Sequence, residues 1–323
     1  MSRSGFAVAI AHSNIALSKY WGKRAGEGNV PAVPSLSVTL AGLSTTTSVT
    51  FDPRLTKDSL ELNGVEVEGT PLARAVTLVD RVRAVNGAKT FARIVSKNDF
   101  PTASGLASSA SGFAALALAT VRAGGLDWPA ERVADLARRS SASAARSVFG
   151  GFVELDGEVA RAVAPKSALG LRVLVCVTTE GEKTVSSTDG MKRTADTSPY
   201  YSAWLETAPR IHVSLRDALL ANDFTKVGEL AESSALAMHA SAMAAGVVYV
   251  SGVTLAALAE VRAIRNDGIK AYATIDAGPH LKCLVEEANA TRVKERLARV
   301  PGVLRVIESS PGDGARVIEG GAA

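Results

Sequence analysis

Apolar runs of strand composition open the chain at Phe6–Ala11, Ser35–Leu40 and Thr45–Phe51. Leu60-Glu61-Leu62 and Val65-Glu66-Val67 then alternate on either side of Asn63-Gly64. An Asn-Gly pair between alternating runs is the strongest short-range signal of a hairpin. Pro71–Val85 has helical character, and Phe91–Ser96 alternates as a strand. Gly105–Ala123 is apolar and Ala-rich, which predicts a long buried helix. Pro129–Arg139 predicts another, with Pro in its first turn and Asp127 as its N-cap. Residues 151–163 give a second hairpin around Asp156-Gly157.

A polar break at Pro165–Ser167 precedes the apolar strand 171–179, and a domain boundary is expected there, dividing 1–168 from 169–323. The second half predicts helices near 199–220, 222–244 and 253–266. Strand Lys270–Ile275, a turn at Asp276–Pro279 and strand Leu281–Glu286 follow. A helix at 288–299 and strand Val303–Ile307 come last, and the final dozen residues, rich in Gly and Ala, are expected to fray. Strands and helices mixed in this way argue α+β in both halves. No internal repeat is evident.

Composition narrows the class. A chain of 323 residues is long for one core, which favours two domains. Apolar residues make up 47% and charged residues 21%, as in ordinary globular proteins. The net charge of +4 is spread along the chain, which suits small anionic ligands and lacks the clustered footprint of a nucleic-acid binder. Cys176 and Cys283 form neither a disulfide framework nor a zinc spacing. The N-terminus lacks a signal-peptide pattern, and no apolar run is long enough to span a bilayer. A cytoplasmic enzyme is the expectation.

Four segments carry candidate chemistry. Lys19, Tyr20, Lys23 and Arg24 crowd beside an apolar strand, an arrangement that fits a polyanion site or a solvated turn. PTASGLASSASG at 101–112 precedes the long helix; its Gly and Ser residues can turn backbone N–H groups toward an anion at the helix's positive end. It is not a Walker A sequence, and alone it also fits a flexible linker. In SSASAARSVFGGF at 140–152, the single Arg146 lies among small residues. A buried Arg needs an anion, either a ligand phosphate or carboxylate or a structural Asp or Glu. In TIDAGP at 274–279, Asp276 ends a strand before a sharp turn. It fits a turn former or a rigidly held carboxylate with Lys19 as its cation. His12, His212 and His239 show no metal spacing and are expected to pack or lie at the surface. Trp21 is expected to anchor a core.

In this order, KYWGKR, the Ser/Gly loop, SSASAARSVFGGF, SSTDGMKRTADTS and TIDAGP closely resemble the diphosphomevalonate decarboxylase family of the GHMP kinase superfamily. KYWGKR and DAGP are the specific pieces, and the resemblance spans nearly the whole chain. It implies a two-domain α+β GHMP kinase fold, with a ribosomal-protein-like N-terminal domain and a ferredoxin-like C-terminal α/β sandwich. It implies a catalytic pair of Asp276 and Lys19. Substrate contacts carried over are Tyr20, Lys23, Ser141, Ser143, Arg146, Ser187 and Thr188. ATP contacts are Ser104, Gly105, Leu106, Ala107, Ser108, Ser109 and Met191, with Ser108 also toward Mg²⁺. Ser186 is a further hydroxyl candidate.

The chain departs from the family pattern in places. Ser140 and Ala142 stand where Gly is common, Thr188 where bacterial relatives often have Arg, and His280 where Asn is usual. His280 is expected to pack against the turn. The implied reaction is ATP-dependent decarboxylation of mevalonate 5-diphosphate to isopentenyl diphosphate, with ADP, phosphate and CO₂. Alternatives are action on mevalonate 5-phosphate, a GHMP small-molecule kinase that stops after phosphoryl transfer, and a non-catalytic binding module. The implied partners are a phosphorylated mevalonate and a second copy of the chain, with no nucleic acid and no membrane.

Overall fold

A computed structural model describes residues 5–26, 28–100, 108–181 and 184–320. In chain order the first sheet and its helices are β1 (Gly5–Ser18), β2 (Ser35–Phe51), β3 (Ser59–Leu62), β4 (Val65–Val67), α1 (Thr70–Asn86), β5 (Ala92–Asn98), α2 (Ser108–Ala123), α3 (Ala130–Ser140), α4 (Ala142–Arg146), β6 (Phe152–Asp156) and β7 (Val159–Ala164). Then come β8 (Leu171–Val177), α5 (Ser187–Thr197), α6 (Tyr201–Leu220), α7 (Phe224–Ala244), α8 (Gly252–Asn266), β9 (Ala271–Ile275), β10 (Leu281–Glu286), α9 (Ala290–Ala298), β11 (Arg305–Ser309) and β12 (Arg316–Gly320).

The first sheet runs β12-β1-β2-β5-β3-β4, with β6 and β7 continuing from the first half of β2. The stretches 35–40 and 45–51 read as two strands in the sequence, but they form one long strand. Its pairing with β1 jumps between His12–Ser44 and Asn14–Thr39, so the join is a bulge that bends the strand. One half of β2 then pairs with β6 and the other with β5. The Asn-Gly hairpin forms as predicted: Asn63 and Gly64 both have positive φ, at 50° and 84°, as a tight primed turn requires.

The second sheet, β11-β8-β10-β9, is antiparallel. Its strands are apolar at nearly every position because both faces are covered. Leu281, Cys283 and Val285 pack with α8 and α9. Leu284, Val173 and Val175 face the other way, against α6, α7 and the inner halves of β1 and β2. That shared core joins the two sheets and makes one α+β molecule of two domains.

Three expectations are corrected. Asp127 does not cap α3; Pro129 holds the cap position and Asp127 pairs with Arg122. Residues 186–198, read without an element, contain α5. Its helix starts because Ser186 Oγ accepts the N–H of Asp189, and it is held because Met191 and Thr194 are buried. The end of the chain does not fray through Gly320. β12 pairs antiparallel with β1, so the last strand returns to the first sheet. Backbone pairing along an open edge outweighs the Gly-rich composition of the tail.

Three imidazoles are buried and held neutral. His212 bridges Ser18 Oγ at 2.9 Å and Glu154 Oε1 at 2.7 Å, tying β1 to α6 and β6. Burial pushes its pKa down, and pushes those of His239 and His280 down to about 4. An unfolded imidazole takes its proton near pH 6.5. For His239 and His280 the stability that goes with the neutral ring is therefore fully present above about pH 6.5 and is lost progressively toward about pH 4. His239 alone accounts for about 3 kcal/mol at the end of that range. Thermal unfolding across this range should show a falling midpoint, with a shallower slope in His239→Asn. An unchanged midpoint contradicts the assignment.

Candidate active site

A cavity of about 750 Å³ lies where the two sheets meet. Lys19, Tyr20 and Lys23 reach it from the end of β1 and the loop that follows; Ser141, Ser143 and Arg146 come from α4 and its approach. Ser187, Thr188 and Met191 enter from α5, Ser109 from α2, and Asp276 from the turn after β9. Segments separated by more than 250 positions thus supply one site. Ser108 opens α2 beside it without lining the cavity. Ser104, Gly105, Leu106 and Ala107 lie outside the described residues. A smaller hollow of about 470 Å³ beside β12 holds none of the predicted residues.

Asp276 is the centre. Lys19 Nζ lies 2.6 Å from its Oδ1 and Lys282 Nζ 3.1 Å from its Oδ2. Both lysines are almost fully buried, at 2% and 1% exposure, while Asp276 keeps 24% open toward the cavity. Burial alone would raise the carboxyl, but the attraction of Lys19 and then Lys282 outweighs it and holds Asp276 ionised well below the usual range. Burial lowers Lys19 to about 8 against the opposing pull of Asp276. Lys19 Nζ also donates to Ala16 O at 2.8 Å, and its backbone N–H donates to Ser234 Oγ, so its position is over-determined.

The sequence left open whether Arg146 meets a structural carboxylate or a ligand. Arg146 is 2% exposed, and its Nη1 donates to Ser35 Oγ at 2.7 Å and its Nη2 to Asn14 Oδ1 at 3.3 Å. Asn14 is fixed in turn by donating to Ser143 O and Ser147 Oγ. Among the described residues no carboxylate pairs with Arg146, and its Nε has no partner. Burial lowers its pKa to about 10, where it is still charged at neutral pH. A buried, charged and unpaired guanidinium facing a cavity needs an anion there.

Two further cations line the cavity and were not legible in the sequence. Arg74 and Arg81 line it from α1, seven residues apart with Thr77 between them, hence on one helix face. Neither pairs with a carboxylate among the described residues; Arg74 donates to Ser140 O at 2.8 Å and stacks over Phe113. Lys23 donates to Asn29 Oδ1 at 2.7 Å, and burial, then the charge of Arg74, lowers its pKa. Arg139, also at the rim, is already paired with Asp135. Burial pushes the Tyr20 hydroxyl up, so it stays protonated and serves as a donor.

The remaining expectations divide cleanly. His280 is fully buried, accepts the Thr178 N–H at 3.2 Å through Nδ1 and does not line the cavity, so it packs the turn. Trp21 is a core anchor, edge-on to Tyr249, with only its margin at the cavity. Gly190 lets α5 approach this core, since a Cβ there would lie 2.3 Å from Tyr249 Oη. Ser186 spends its hydroxyl on capping α5, which turns the helix's positive end toward the site.

Comparison with known proteins places this chain in a family. Residues 11–163 match the model of the diphosphomevalonate decarboxylase-like N-terminal domain, and 173–311 that of the mevalonate 5-diphosphate decarboxylase C-terminal domain. The chain belongs to the diphosphomevalonate decarboxylase family. A diphosphomevalonate decarboxylase of Candida albicans is 32% identical over 95% of this chain and 96% of its own. A phosphomevalonate decarboxylase of Haloferax volcanii is 35% identical over 90% of this chain and 92% of its own. A solved structure of MDDEF in complex with MVAPP, AMPPCP and magnesium matches with a TM-score of 0.91 at 38% identity, covering 98% of this chain and 100% of the other. The family's two domain models meet between residues 163 and 173, on either side of the polar break in the sequence.

Proposed function

We propose that the protein catalyses the ATP-dependent decarboxylation of mevalonate 5-diphosphate, giving isopentenyl diphosphate, ADP, phosphate and CO₂. The observation that carries this reading is one open carboxylate, Asp276, facing a cavity that also holds four cations, Arg146, Lys23, Arg74 and Arg81, without carboxylate partners among the described residues. Arg146, Lys23 and Arg74 suit the diphosphate, with Tyr20, Ser141, Ser143, Ser187 and Thr188 as hydroxyl ligands. Met191 and the start of α2, with Ser108 and Ser109, face the nucleotide. We extend the proposal to the loop Ser104–Ala107 as its phosphate cradle, to a domain boundary near Ser167, and to a cytoplasmic homodimer. Among the described residues no helix is long and apolar enough to cross a membrane. Light scattering checks the dimer.

Asp276 accepts a hydrogen bond from the tertiary 3-hydroxyl and fixes its oxygen toward the γ-phosphate. A carboxylate held this strongly by two lysines is a weak base. It takes the proton as the hydroxyl oxygen bonds to the γ-phosphorus, the bond from that phosphorus to the β-phosphate oxygen breaks, and ADP leaves. Phosphoryl transfer depends mostly on positioning and charge neutralisation, which this arrangement supplies. The C3–O bond then breaks with its electron pair leaving on phosphate, the carboxylate carbon departs as CO₂, and its bonding pair forms the double bond. Lys19 neutralises the departing phosphate.

Among the described residues no three His, Cys, Asp or Glu side chains converge as metal ligands. The Ser108 hydroxyl at the start of α2 would stand beside a Mg²⁺ brought in with the nucleotide, an ion that keeps several waters. Bound there, Mg²⁺ supplies charge neutralisation to the phosphates.

The Haloferax relative favours a second reading, in which the substrate is mevalonate 5-phosphate. Assays of ADP and CO₂ with mevalonate, its 5-phosphate and its 5-diphosphate, each with ATP and Mg²⁺, separate the two. We expect the highest kcat/KM with the diphosphate. A higher value with the monophosphate moves the assignment, and no turnover with any of the three overturns it.

A further inference from the structure

Lys282 is a charged residue in the middle of an apolar strand. It lies on β10 between Leu281 and Cys283, in register with Thr274 on β9 and Val175 on β8. Its neighbours Leu281 and Cys283 point toward α8 and α9, and Leu284, two positions on, points into the core between the two sheets. Strand alternation puts Lys282 on the same side as Leu284. Its ammonium is 1% exposed, does not line the cavity, and finds one anion, Asp276 Oδ2 at 3.1 Å. It has no hydrogen-bond partner among the described residues, so its contact with Asp276 is an ion pair.

A second buried lysine on one carboxylate is a poor device for stability. Lys19 already neutralises Asp276, and replacing buried charges by well-packed apolar groups is often neutral or stabilising. What the second lysine adds is geometric. Lys19 alone would leave the carboxylate free to turn about its bond to Cβ. With Lys19 on Oδ1 and Lys282 on Oδ2, both oxygens are tied and the plane is locked, while the open edge still faces the cavity. One lysine directly follows β1 and the other lies on β10, so the lock closes only when the two sheets are docked.

We infer that Lys282 is a positioning residue for the reaction: it acts through Asp276, without touching substrate, to fix the carboxylate that orients the substrate hydroxyl. The inference rests on the decarboxylase reading above. Lys282 is also a cation, so it favours the ionised form of Asp276. The other charged or titratable groups facing that carboxylate are Lys19 just after β1, Arg146 on α4 and His239 on α7. Their retention leaves a variant of Lys282 with a looser and more easily protonated Asp276.

The test compares wild type, Lys282→Met and Lys282→Gln with ATP, Mg²⁺ and mevalonate 5-diphosphate. Wild-type turnover is the control; its absence would count against the decarboxylase reading itself. A carboxylate displaced by about 1 Å costs on the order of 100-fold, so kcat in Lys282→Met should fall by roughly 10- to 100-fold. Both KM values should change by less than about twofold, the pattern of an interaction used only in the transition state. The acid limb of the kcat profile should move to higher pH, because a cation that favoured the carboxylate is gone. Lys282→Gln, which keeps a donor near Oδ2, should recover part of the rate. An active wild type with an unchanged kcat and acid limb in Lys282→Met overturns the inference. Loss of the native circular dichroism spectrum in both variants also overturns it, because Lys282 would then be a structural ion-pair partner.

Discussion

Asp276→Asn is expected to abolish turnover while nucleotide binding survives. Asn keeps the size and the turn-forming character that the end of β9 needs, so the loop into β10 can still form. It removes the proton acceptor, and a positioned base is worth about 10²–10⁴ in rate. It also strips the anion from two lysines that are 2% and 1% exposed. Breaking a buried pair costs about 3–5 kcal/mol, and the partial exposure of Asp276 reduces that. The variant should therefore bind ATP but melt earlier than wild type. Single-turnover ADP and CO₂ release, with calorimetric ATP binding and a thermal scan, checks all three points. If the variant keeps more than about a tenth of the wild-type rate, Asp276 is only a turn residue. His280 lies behind the turn against Thr178 and does not line the cavity, so it is not placed to replace Asp276.

Arg146→Gln should weaken use of the anionic substrate far more than it weakens ATP binding. The guanidinium is held by Ser35 and Asn14 through neutral hydrogen bonds alone, which leaves its charge for a ligand. Losing a desolvated charge-assisted contact costs about 2–5 kcal/mol, or roughly 30- to 5000-fold in affinity. Since Arg146 has no carboxylate partner among the described residues, its removal strands no buried anion, and the variant should fold. Substrate kinetics and circular dichroism measured together check this. Unchanged kcat/KM for the phosphorylated mevalonate would show that Arg146 serves the packing of α4 instead.

These two residues were legible in the sequence because of their setting. Asp276 stands before Ala-Gly-Pro at a strand end, and Arg146 is the one cation among Ser and Ala. Lys282 was hidden by the rule that finds most strands. In an antiparallel strand with one wet face, a Lys between apolar residues points to water. Here α6, α7 and the inner halves of β1 and β2 cover that second face, and the same letter becomes a buried cation. Arg74 and Arg81 were hidden for the opposite reason. Basic residues seven apart on an amphipathic helix look like a solvated stripe until the docking of α1 beside α2 and α3 brings them to the cavity. α5 has too polar a composition to show a helical period; it exists because Ser186 caps it and Met191 and Thr194 are buried under it. The strand β12 depends on an open edge of β1 that lies some 300 positions away. Local pattern cannot report a partner at that distance.

The coupling of phosphoryl transfer to loss of carbon is the centre of this account, and its stoichiometry tests it most directly. Wild-type enzyme in excess over mevalonate 5-diphosphate, with ATP and Mg²⁺, should release one CO₂ for each ADP formed in a single turnover. ADP without CO₂, or CO₂ without ATP, would contradict it.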